Sequence, residues 1–268
     1  GVCSVTHGPG LARLSLSLIA ARRSHTPIVV HTSKTAFNNE RETQFLNQDR
    51  FVSASEAGYI EVMTPDYAET AVRQAFYRAR LESRPIVLCI PLDIQGEECE
   101  SDGDEYQPSA TMFTGQQRIR PDVDRLRAAV KIISESKKPV VVLGRGAMEP
   151  QARQAADRLA KRIGALIATT LLARGVLGES EYYAGVSGTL SARAVIQLFE
   201  EADCVIAIGA GLNDRTIHGG YLYPRARIVH IDIEPHLMMG NDRSADCYVQ
   251  GDAATTTQEI DEMLAQQS

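Results

Sequence analysis

The stretch that decides the fold is KPVVVLGRGA, residues 138–147. Its unbroken apolar run, Val140–Leu143, predicts a strand that is buried on both faces, as in parallel sheets. A glycine turn follows the strand at once, and residues 151–163 then place alanine and leucine at helical spacing. This order of strand, turn and helix predicts one unit of a parallel α/β sheet.

The same alternation continues on both sides of this stretch. We predict the remaining strands at 2–6, 27–30, 60–63, 85–90, 165–170, 204–208 and 228–231. We predict the helices at 11–23, after Asp66 as a cap, and at 122–135, 151–163, 191–201 and 255–264. Residues 34–49 have no clear period and are interpreted as a long loop. The fold class is therefore α/β, with two doubly wound parallel-sheet units.

Residues 95–120 interrupt this alternation, because they are polar and acidic and show no apolar period. A stretch of this length without structure is typical of a linker. We predict a first domain at 1–95, a linker at 96–120 and a second, Rossmann-like domain at 121–268.

Composition limits the partners and the compartment. The formal net charge is -6 and no extended basic stripe occurs, which argues against nucleic acid as a partner. No apolar run approaches the ~20 residues of a membrane span. The five cysteines are scattered without metal-ligand spacing, which favours reduced thiols, a cytoplasmic location and no metal site.

Two glycine turns follow strands of the second domain. Gly144 and Gly146 make a G-x-G pattern that could admit a phosphate, but position 149, where a third glycine would stand, is glutamate. Gly209 and Gly211 follow a later strand, with Arg215 close behind. On local evidence, a nucleotide site and plain tight turns both remain open.

Asp232 ends the next strand, where an acidic residue can bind a ribose hydroxyl. The simpler interpretation is that Asp232 caps the following turn, and local evidence favours it. His7-Gly8-Pro9-Gly10 is a rigid turn after the first strand, at a position where parallel sheets bind ligands.

The ordered set of motifs resembles the thiamine-diphosphate-dependent enzymes of the acetolactate synthase type. Residues 1–10, GVCSVTHGPG, are similar to that family's G-V-x-x-V-T-x-G-P-G segment, and residues 84–95 resemble the end of its pyrimidine-binding domain. Residues 44–48 resemble a loop with a site-facing glutamine. The stretches 138–147, 168–175, 202–210, 228–233 and 251–253 resemble successive parts of the family's central domain.

The resemblance implies decarboxylation of a 2-oxo acid with carboligation, in a homodimer or homotetramer that uses thiamine diphosphate and Mg²⁺. On the thiamine diphosphate side it implies the residues Thr6, His7, Gly8, Pro9, Gly10 and Gln48. It also allows FAD or ADP in the central domain, and the candidate residues there are Gly144, Arg145, Gly146, Gly209, Gly211, Arg215 and Asp232.

The family's activating glutamate and its "G-D-G…N" metal-diphosphate signature are expected outside these 268 residues. The chain also opens inside a predicted strand and without methionine, so we expect it to be part of a longer protein. We therefore place no catalytic residue in it and expect it to be inactive alone. The alternatives are a non-catalytic nucleotide-binding α/β protein and a dehydrogenase-like Rossmann enzyme, against which the missing third glycine counts.

Overall fold

A computed structural model describes residues 1–37, 39–99, 106–112, 118–177, 180–234 and 243–267. The chain divides into two compact units, Gly1–Gln116 and Gln117–Ser268, which we call the first unit and the second unit. The division falls inside the stretch 96–120 that the sequence predicts as a linker. Much of that stretch, including the acidic residues within 100–105, lies outside the described residues.

The described part of the first unit contains four parallel strands in the order β1-β2-β4-β3. The strands are Val2–Val5 (β1), Ile28–Lys34 (β2), Gly58–Glu61 (β3) and Pro85–Pro91 (β4). The helices are Pro9–Ala12 (α1), Ser15–Arg23 (α2), Gln48–Ser53 (α3), Ala68–Leu81 (α4) and Leu92–Gln95 (α5). Because the strands are parallel, their carboxyl ends meet at one side of the sheet, which we call the carboxyl edge.

Apolar layers cover both faces of this sheet. Alternate residues of β4 point to opposite faces, so Ile86 and Leu88 join a core with α4, whereas Val87 joins a second core with α1, α2 and α3. The fully buried residues of α4 are Ala71, Ala75 and Ala79, and the larger Val72 and Phe76 pack partly buried against the same core. Helices on both faces make the sheet doubly wound, as predicted.

The described part of the second unit contains six parallel strands in the order β10-β9-β8-β5-β6-β7. They are Pro139–Leu143 (β5), Leu166–Thr169 (β6), Tyr183–Val186 (β7), Cys204–Ile208 (β8), Arg227–Asp232 (β9) and Cys247–Gln250 (β10). The helices are Val123–Ser134 (α6), Pro150–Ile163 (α7), Arg193–Glu200 (α8), Asp214–Ile217 (α9) and Ala253–Ala265 (α10).

The chain enters this second sheet at its centre. From β5 it adds β6 and β7 on one side, then returns to add β8, β9 and β10 on the other. This is the Rossmann order, and its topological switch point lies between β5 and β8. Apolar side chains of alternate strand residues fill separate cores on the two faces, represented by Val141 and Val142. The predicted fold class is confirmed.

Two predictions about the first unit are wrong. The single helix predicted at 11–23 is two helices, α1 and α2, because Leu14 N–H donates to Leu11 O at 2.9 Å in a tighter turn at the join. Asp66 does not occupy the N-cap of α4. That position belongs to Tyr67, and Asp66 lies in the short 3₁₀ turn Pro65–Tyr67.

The sequence patterns also miss several short elements. Helix α3 begins inside the stretch interpreted as a loop, and the Asn47 side chain caps it by accepting from Arg50 N–H at 3.2 Å. The edge strands β7 and β10, of four residues each, were not predicted either.

Candidate cofactor sites

The turn Thr6–Gly10 leaves the end of β1 at the carboxyl edge of the first unit. Gly8 has a positive φ of 57°, and a Cβ there would lie 2.0 Å from the carbonyl oxygen of Gln44. A Cβ on Gly10 would lie 2.6 Å from Thr6 Cγ2. A side chain at either position would therefore clash with its neighbours. The absence of a Cβ at Gly8 lets the loop around Gln44 lie directly against the turn.

His7 is held in this turn by two neighbours. The residue is 8% exposed. Its Nδ1 lies 3.3 Å from the hydroxyl of Ser33. Its Nε2 lies 3.5 Å from the Glu42 carboxylate, close enough for an ion pair but without hydrogen-bond geometry. The imidazole thus lies between the end of β2 and the long loop that follows it.

Gln48, the first residue of α3, is 2% exposed. Its Nε2 donates to the backbone carbonyl of Ser33 at 2.9 Å, whereas its Oε1 is buried and has no hydrogen-bond partner among the described residues. Ser33 therefore brings His7 and Gln48 together, and both residues are sequence-predicted candidates. Sequence reasoning missed Ser33 and Glu42, although a polar residue at the end of a buried strand is a usable signal for Ser33.

Thr6 and Pro9 complete this candidate set, and both are exposed. The carbonyl of Thr6 accepts a hydrogen bond from the Thr32 hydroxyl at 3.4 Å, which ties the turn to β2.

A second polar cluster lies beside this site on β2, β3 and β4. Lys34 Nζ pairs with Glu61 at 2.7 Å, and the Tyr59 hydroxyl donates to the other carboxylate oxygen at 3.0 Å. Burial, with smaller contributions from Cys89 and Glu61, raises the pKa of Tyr59 far above its ordinary value. Burial likewise raises the pKa of Cys89 to about 11. Tyr59 and Cys89 therefore stay neutral at physiological pH, and this cluster offers no activated nucleophile.

In the second unit the two glycine turns pack against each other. A Cβ on Gly144 would lie 2.1 Å from the carbonyl oxygen of Gly209, and a Cβ on Gly209 would lie 2.6 Å from the Cα of Gly146. The close approach that these glycines permit is an approach of one backbone to the other. Gly211 differs, because the nearest atom to its Cβ would be 3.9 Å away, on the Asn213 side chain.

The backbone donors of these turns are already in use. Gly144 N–H donates to Ile208 O at 2.9 Å, Gly146 N–H to Gly209 O at 3.0 Å, and Gly209 N–H to Ile231 O at 2.8 Å. They are not available to a phosphate group in this arrangement.

Helix α7 begins only at Pro150, and its N-cap residue is Glu149, whose carboxylate pairs with Arg118 at 3.1 Å. A negative charge at a helix N-terminus disfavours a bound anion there. The glycine turns and this helix therefore do not fit the phosphate cradle that the sequence suggested.

Asp232 caps the turn that follows β9. Its Oδ1 accepts from the backbone N–H of Ile233 at 2.8 Å and of Glu234 at 3.3 Å. This carboxylate oxygen is engaged locally, as the simpler interpretation of the sequence expects.

Three arginines remain as features of this edge that could bind an anion. Arg145, Arg174 and Arg215 follow β5, β6 and β8, which are adjacent in the sheet. None of them forms an ion pair with a described residue. Burial lowers the pKa of Arg145, because its guanidinium is held partly out of water and no carboxylate lies beside it to stabilise the charge.

Two further classes of site receive no support from the described residues. They contain no helix long and apolar enough to cross a membrane. They also contain no group of three or more His, Cys, Asp or Glu side chains placed to hold a metal ion. The five cysteines are all free thiols.

Comparison with known proteins identifies the family. Residues 126–260 match the family described as thiamine pyrophosphate enzyme, central domain. The chain belongs to this family. The matched range holds all six strands of the Rossmann-ordered sheet, so the family assignment and the observed topology agree.

Curated relatives extend the similarity over both units. The chain is 28% identical to an acetolactate synthase of Mycobacterium leprae over 98% of this chain and 42% of that protein. It is 28% identical to acetolactate synthase large subunits of Corynebacterium glutamicum, over 94% of the chain and 41% of the relative, and of Parasynechococcus marenigrum, over 100% and 44%. The chain thus spans less than half the length of these relatives.

A solved structure from Mycobacterium smegmatis, studied as a candidate thiamin diphosphate-dependent enzyme, has the same fold. It aligns with a TM-score of 0.75 at 21% identity, over 98% of this chain and 50% of that one. At this identity the likeness supports the fold alone.

Proposed function

We propose that this chain is part of a thiamine-diphosphate-dependent enzyme that decarboxylates a 2-oxo acid and joins the product to an acceptor, as acetolactate synthases do. The observation that carries the proposal is the similarity to acetolactate synthases across 98% of the chain. It includes both the first unit, with its Gly8-Pro9-Gly10 turn, and the central domain. A non-catalytic nucleotide-binding protein would need neither the order nor the pairing of these units.

The cofactor side of the proposed enzyme is the carboxyl edge of the first unit. Thr6, His7, Gly8, Pro9, Gly10 and Gln48 would hold the aminopyrimidine of thiamine diphosphate. The buried Gln48 Oε1, which lacks a hydrogen-bond partner among the described residues, fits a ligand that brings an N–H donor. When bound, thiamine diphosphate supplies the carbanion chemistry of decarboxylation, while the protein binds and orients.

Mg²⁺ does not fit the residues described here, since they contain no suitable ligand cluster. We assign it, with the diphosphate, to a part of the enzyme outside these 268 residues. Because the family's activating glutamate is likewise expected outside this chain, we place no catalytic residue in it.

Carbon dioxide release tests the proposal. The full-length protein should release CO₂ from pyruvate or another 2-oxo acid only when thiamine diphosphate and Mg²⁺ are both added, and it should form a carboligation product. The 268-residue chain alone should release none. Cofactor-dependent release by the short chain would contradict our assignment of the catalytic groups. A full-length protein without turnover on any 2-oxo acid would overturn the proposed activity.

We also propose that the intact enzyme is a cytoplasmic homodimer or homotetramer. The free cysteines suit a reducing compartment. Light scattering on the eluted full-length protein would give its mass directly. A monomer at micromolar concentration would contradict this proposal.

A second proposal is that the central domain binds FAD or ADP. Fewer of the candidate residues support it once their contacts in the structure are known. The N–H groups of Gly144, Gly146 and Gly209 donate to backbone carbonyls, and one carboxylate oxygen of Asp232 accepts from backbone N–H groups. The support that remains for an anionic ligand comes from Arg145, Arg174 and Arg215. Calorimetric titration with FAD and with ADP tests this. Binding tighter than about 1 mM that Arg145→Ala weakens would support it. Without such binding, both glycine turns are purely structural.

A further inference from the structure

Two described segments of the predicted linker make specific contacts with the rest of the chain. Residues 106–112 belong to the first unit and residues 118–121 to the second. The stretch 96–120 is predicted as a linker because it has no apolar period. In both segments, however, side chains and backbone groups bind helices of their own unit, which an unattached linker would not do.

The first segment, residues 106–112, lies against α4. The Tyr106 ring covers the guanidinium of Arg73, with 5.7 Å between the guanidinium carbon and the ring centroid. Arg73 also pairs with Glu69, one turn earlier in α4, at 2.5 Å. This pair holds the guanidinium at the position that the ring contacts. The short 3₁₀ turn Ser109–Met112 packs against the same helix.

Ser109 shows how close this packing is. Only 3% of Ser109 is exposed, although Pro108 and Ala110 on either side of it are exposed. The N–H and the hydroxyl of Thr111 both donate to the Pro108 carbonyl, at 2.9 and 2.8 Å, and so close the turn. The segment therefore has a defined inner side, which it buries, and a defined outer side.

The second segment, residues 118–121, binds the first turns of two helices in the second unit. Arg118 pairs with Glu149, the N-cap residue of α7, at 3.1 Å and with Asp252, the N-cap residue of α10, at 3.3 Å. The N–H of Asp252 donates to the carbonyl of Ile119 at 2.8 Å. One guanidinium thus balances two carboxylates that the fold brings to the same place.

We propose that these two segments are straps: residues 106–112 hold α4 in place in the first unit, and residues 118–121 hold the first turns of α7 and α10 together in the second. Each strap is a structural part of its own unit. Loosening one strap should therefore make its own unit open more readily and leave the other unit unchanged. The inference does not depend on the proposed cofactor or substrate.

Thiol labelling of the full-length protein at urea concentrations below the unfolding transition tests both straps. Cys89 on β4 and Cys204 on β8 are buried, so each reports the opening of one unit. Tyr106→Ala removes a partly exposed cation–π contact and should raise the labelling rate of Cys89 about three- to fivefold, with Cys204 unchanged. Arg118→Ala should raise the labelling rate of Cys204 about threefold, with Cys89 unchanged.

Each variant has a matched control. Tyr106→Phe keeps an aromatic ring over Arg73 and should label Cys89 at the wild-type rate. Arg120→Ala removes an exposed arginine two residues from Arg118 and should label Cys204 at the wild-type rate.

Limited proteolysis with subtilisin reports the docking of the first strap directly. In the wild-type protein, early cuts within the linker should avoid residues 107–111. Ser109→Glu places a charge at a buried position and should release the segment, so that cuts appear there. Thr111→Glu is the control, because Thr111 is exposed. If Ser109→Glu does not fold, Tyr106→Ala decides the question, since Tyr106 is 40% exposed and its loss leaves no buried cavity.

Three results would overturn the proposal. The first strap fails if Tyr106→Ala labels Cys89 at the wild-type rate, or if the wild-type protein is cut early within 107–111. The second strap fails if Arg118→Ala and Arg120→Ala label Cys204 alike. Equal acceleration of both cysteines by either variant would mean that the segments stabilise the whole chain rather than their own units.

Discussion

The carboxyl edges of the two sheets begin alike, with a buried strand followed by a glycine turn, but they use their polar atoms differently. In the second unit the N–H groups of Gly144, Gly146 and Gly209 all donate to backbone carbonyls. In the first unit His7 Nε2 and Gln48 Oε1 are buried without a hydrogen-bond partner among the described residues. The glycine turns of one edge thus have satisfied backbone donors, whereas the other edge holds side-chain atoms that lack hydrogen bonds.

The difference teaches how to interpret a glycine turn at the end of a strand. At both edges the glycines allow close approach, but in each case the approaching atoms belong to the protein itself: the carbonyl of Gln44 in one unit and the Gly146 turn in the other. The glycine pattern alone therefore does not distinguish a ligand site from a structural contact. Buried side-chain atoms without hydrogen bonds add a second signal, because the cost of their desolvation is offset when a partner arrives.

Proteolytic cleavage between the two units is the largest effect that we predict. The boundary within 96–120 is a prediction that limited proteolysis can test. The described part of this stretch has little regular structure, so the intact chain should disappear through cuts there before any other cut forms. Mass spectrometry of the first fragments identifies the sites. Early cuts within 139–211 would contradict the boundary.

Cysteine labelling should differ by more than about a hundredfold between thiols of one chain. Burial raises the pKa of Cys89 to about 11 and that of Cys204 to about 12, so at pH 8 about a thousandth or less of either thiol is ionised. Cys99 is exposed. Iodoacetamide at pH 8 should label Cys99 within minutes and leave Cys89 and Cys204 unlabelled in the native chain, as peptide mass spectrometry would show.

The same reagent with increasing urea follows each unit separately. Cys89 should become reactive when the first unit unfolds, and Cys204 when the second does. Rapid labelling of either residue without urea would mean that its strand is not buried as the structure places it.

The glycine turns of the second unit pack so closely that a side chain placed between them should lower the free energy of unfolding by several kcal/mol. In Gly209→Ala the new Cβ would lie 2.6–2.8 Å from backbone atoms of Gly146 and Ala147, at a φ of 55° that alanine disfavours. The free energy of unfolding of the second unit should fall by about 3 kcal/mol. Urea unfolding followed through Cys204 labelling measures the change.

Gly164→Ala is the matched control, because Gly164 also has a positive φ, 66°, but nothing lies within 4 Å of its Cβ position. It should cost only about 1 kcal/mol, from the backbone conformation. Equal losses in the two variants would mean that the Gly146 turn moves aside easily, and the second edge would then be less closed than the comparison requires.

The sequence predicts the fold better than it predicts the sites, and particular residues show why. Apolar strands such as Pro139–Leu143 are recognisable from their own continuous run of apolar residues, so the sheet of each unit follows from local patterns. Helix α3 depends on one cap, Asn47, and was missed. His7 and Gln48 were named from resemblance. Ser33 was not named, although it has the signal of a polar residue at a strand end, and Glu42 was not named because its contact comes from a loop that has no local pattern. The candidate nucleotide site was named from the glycines Gly144, Gly146 and Gly209, whose close neighbours lie 62–66 positions away in the chain.

At the amino edges, where the strands begin, both units use an acidic residue to hold the chain before a strand. Removing such a residue gives the smallest change in stability that we predict. In the second unit the Asp203 carboxylate accepts from the backbone N–H groups of Lys137 and Lys138 at 2.7 and 2.9 Å. In the first unit Glu82 binds Arg78 at 2.7 Å and also Arg84, just before β4. A single acidic residue thus ties the chain together before a strand in each unit.

Glu82 makes this last comparison measurable through pH. Burial alone would raise the pKa of Glu82, but hydrogen bonds from Arg78 and Arg84 outweigh it and hold the pKa below its ordinary value of 4.5. A lowered carboxyl pKa adds stability that is complete above about pH 5 and is lost as the pH falls through the folded-state pKa. Because Glu82 and its two arginines are all partly exposed to solvent, Glu82→Gln should cost only about 0.5 kcal/mol at pH 7 and nothing near pH 2. Urea unfolding at both pH values, read through Cys89 labelling at pH 7 and circular dichroism at both, measures this loss of stability.

Glu97→Gln, at an exposed position, is the control and should change the stability at neither pH. A loss that persists at pH 2 would show that Glu82 acts through packing rather than charge, and the amino edges would then differ in kind as the carboxyl edges do.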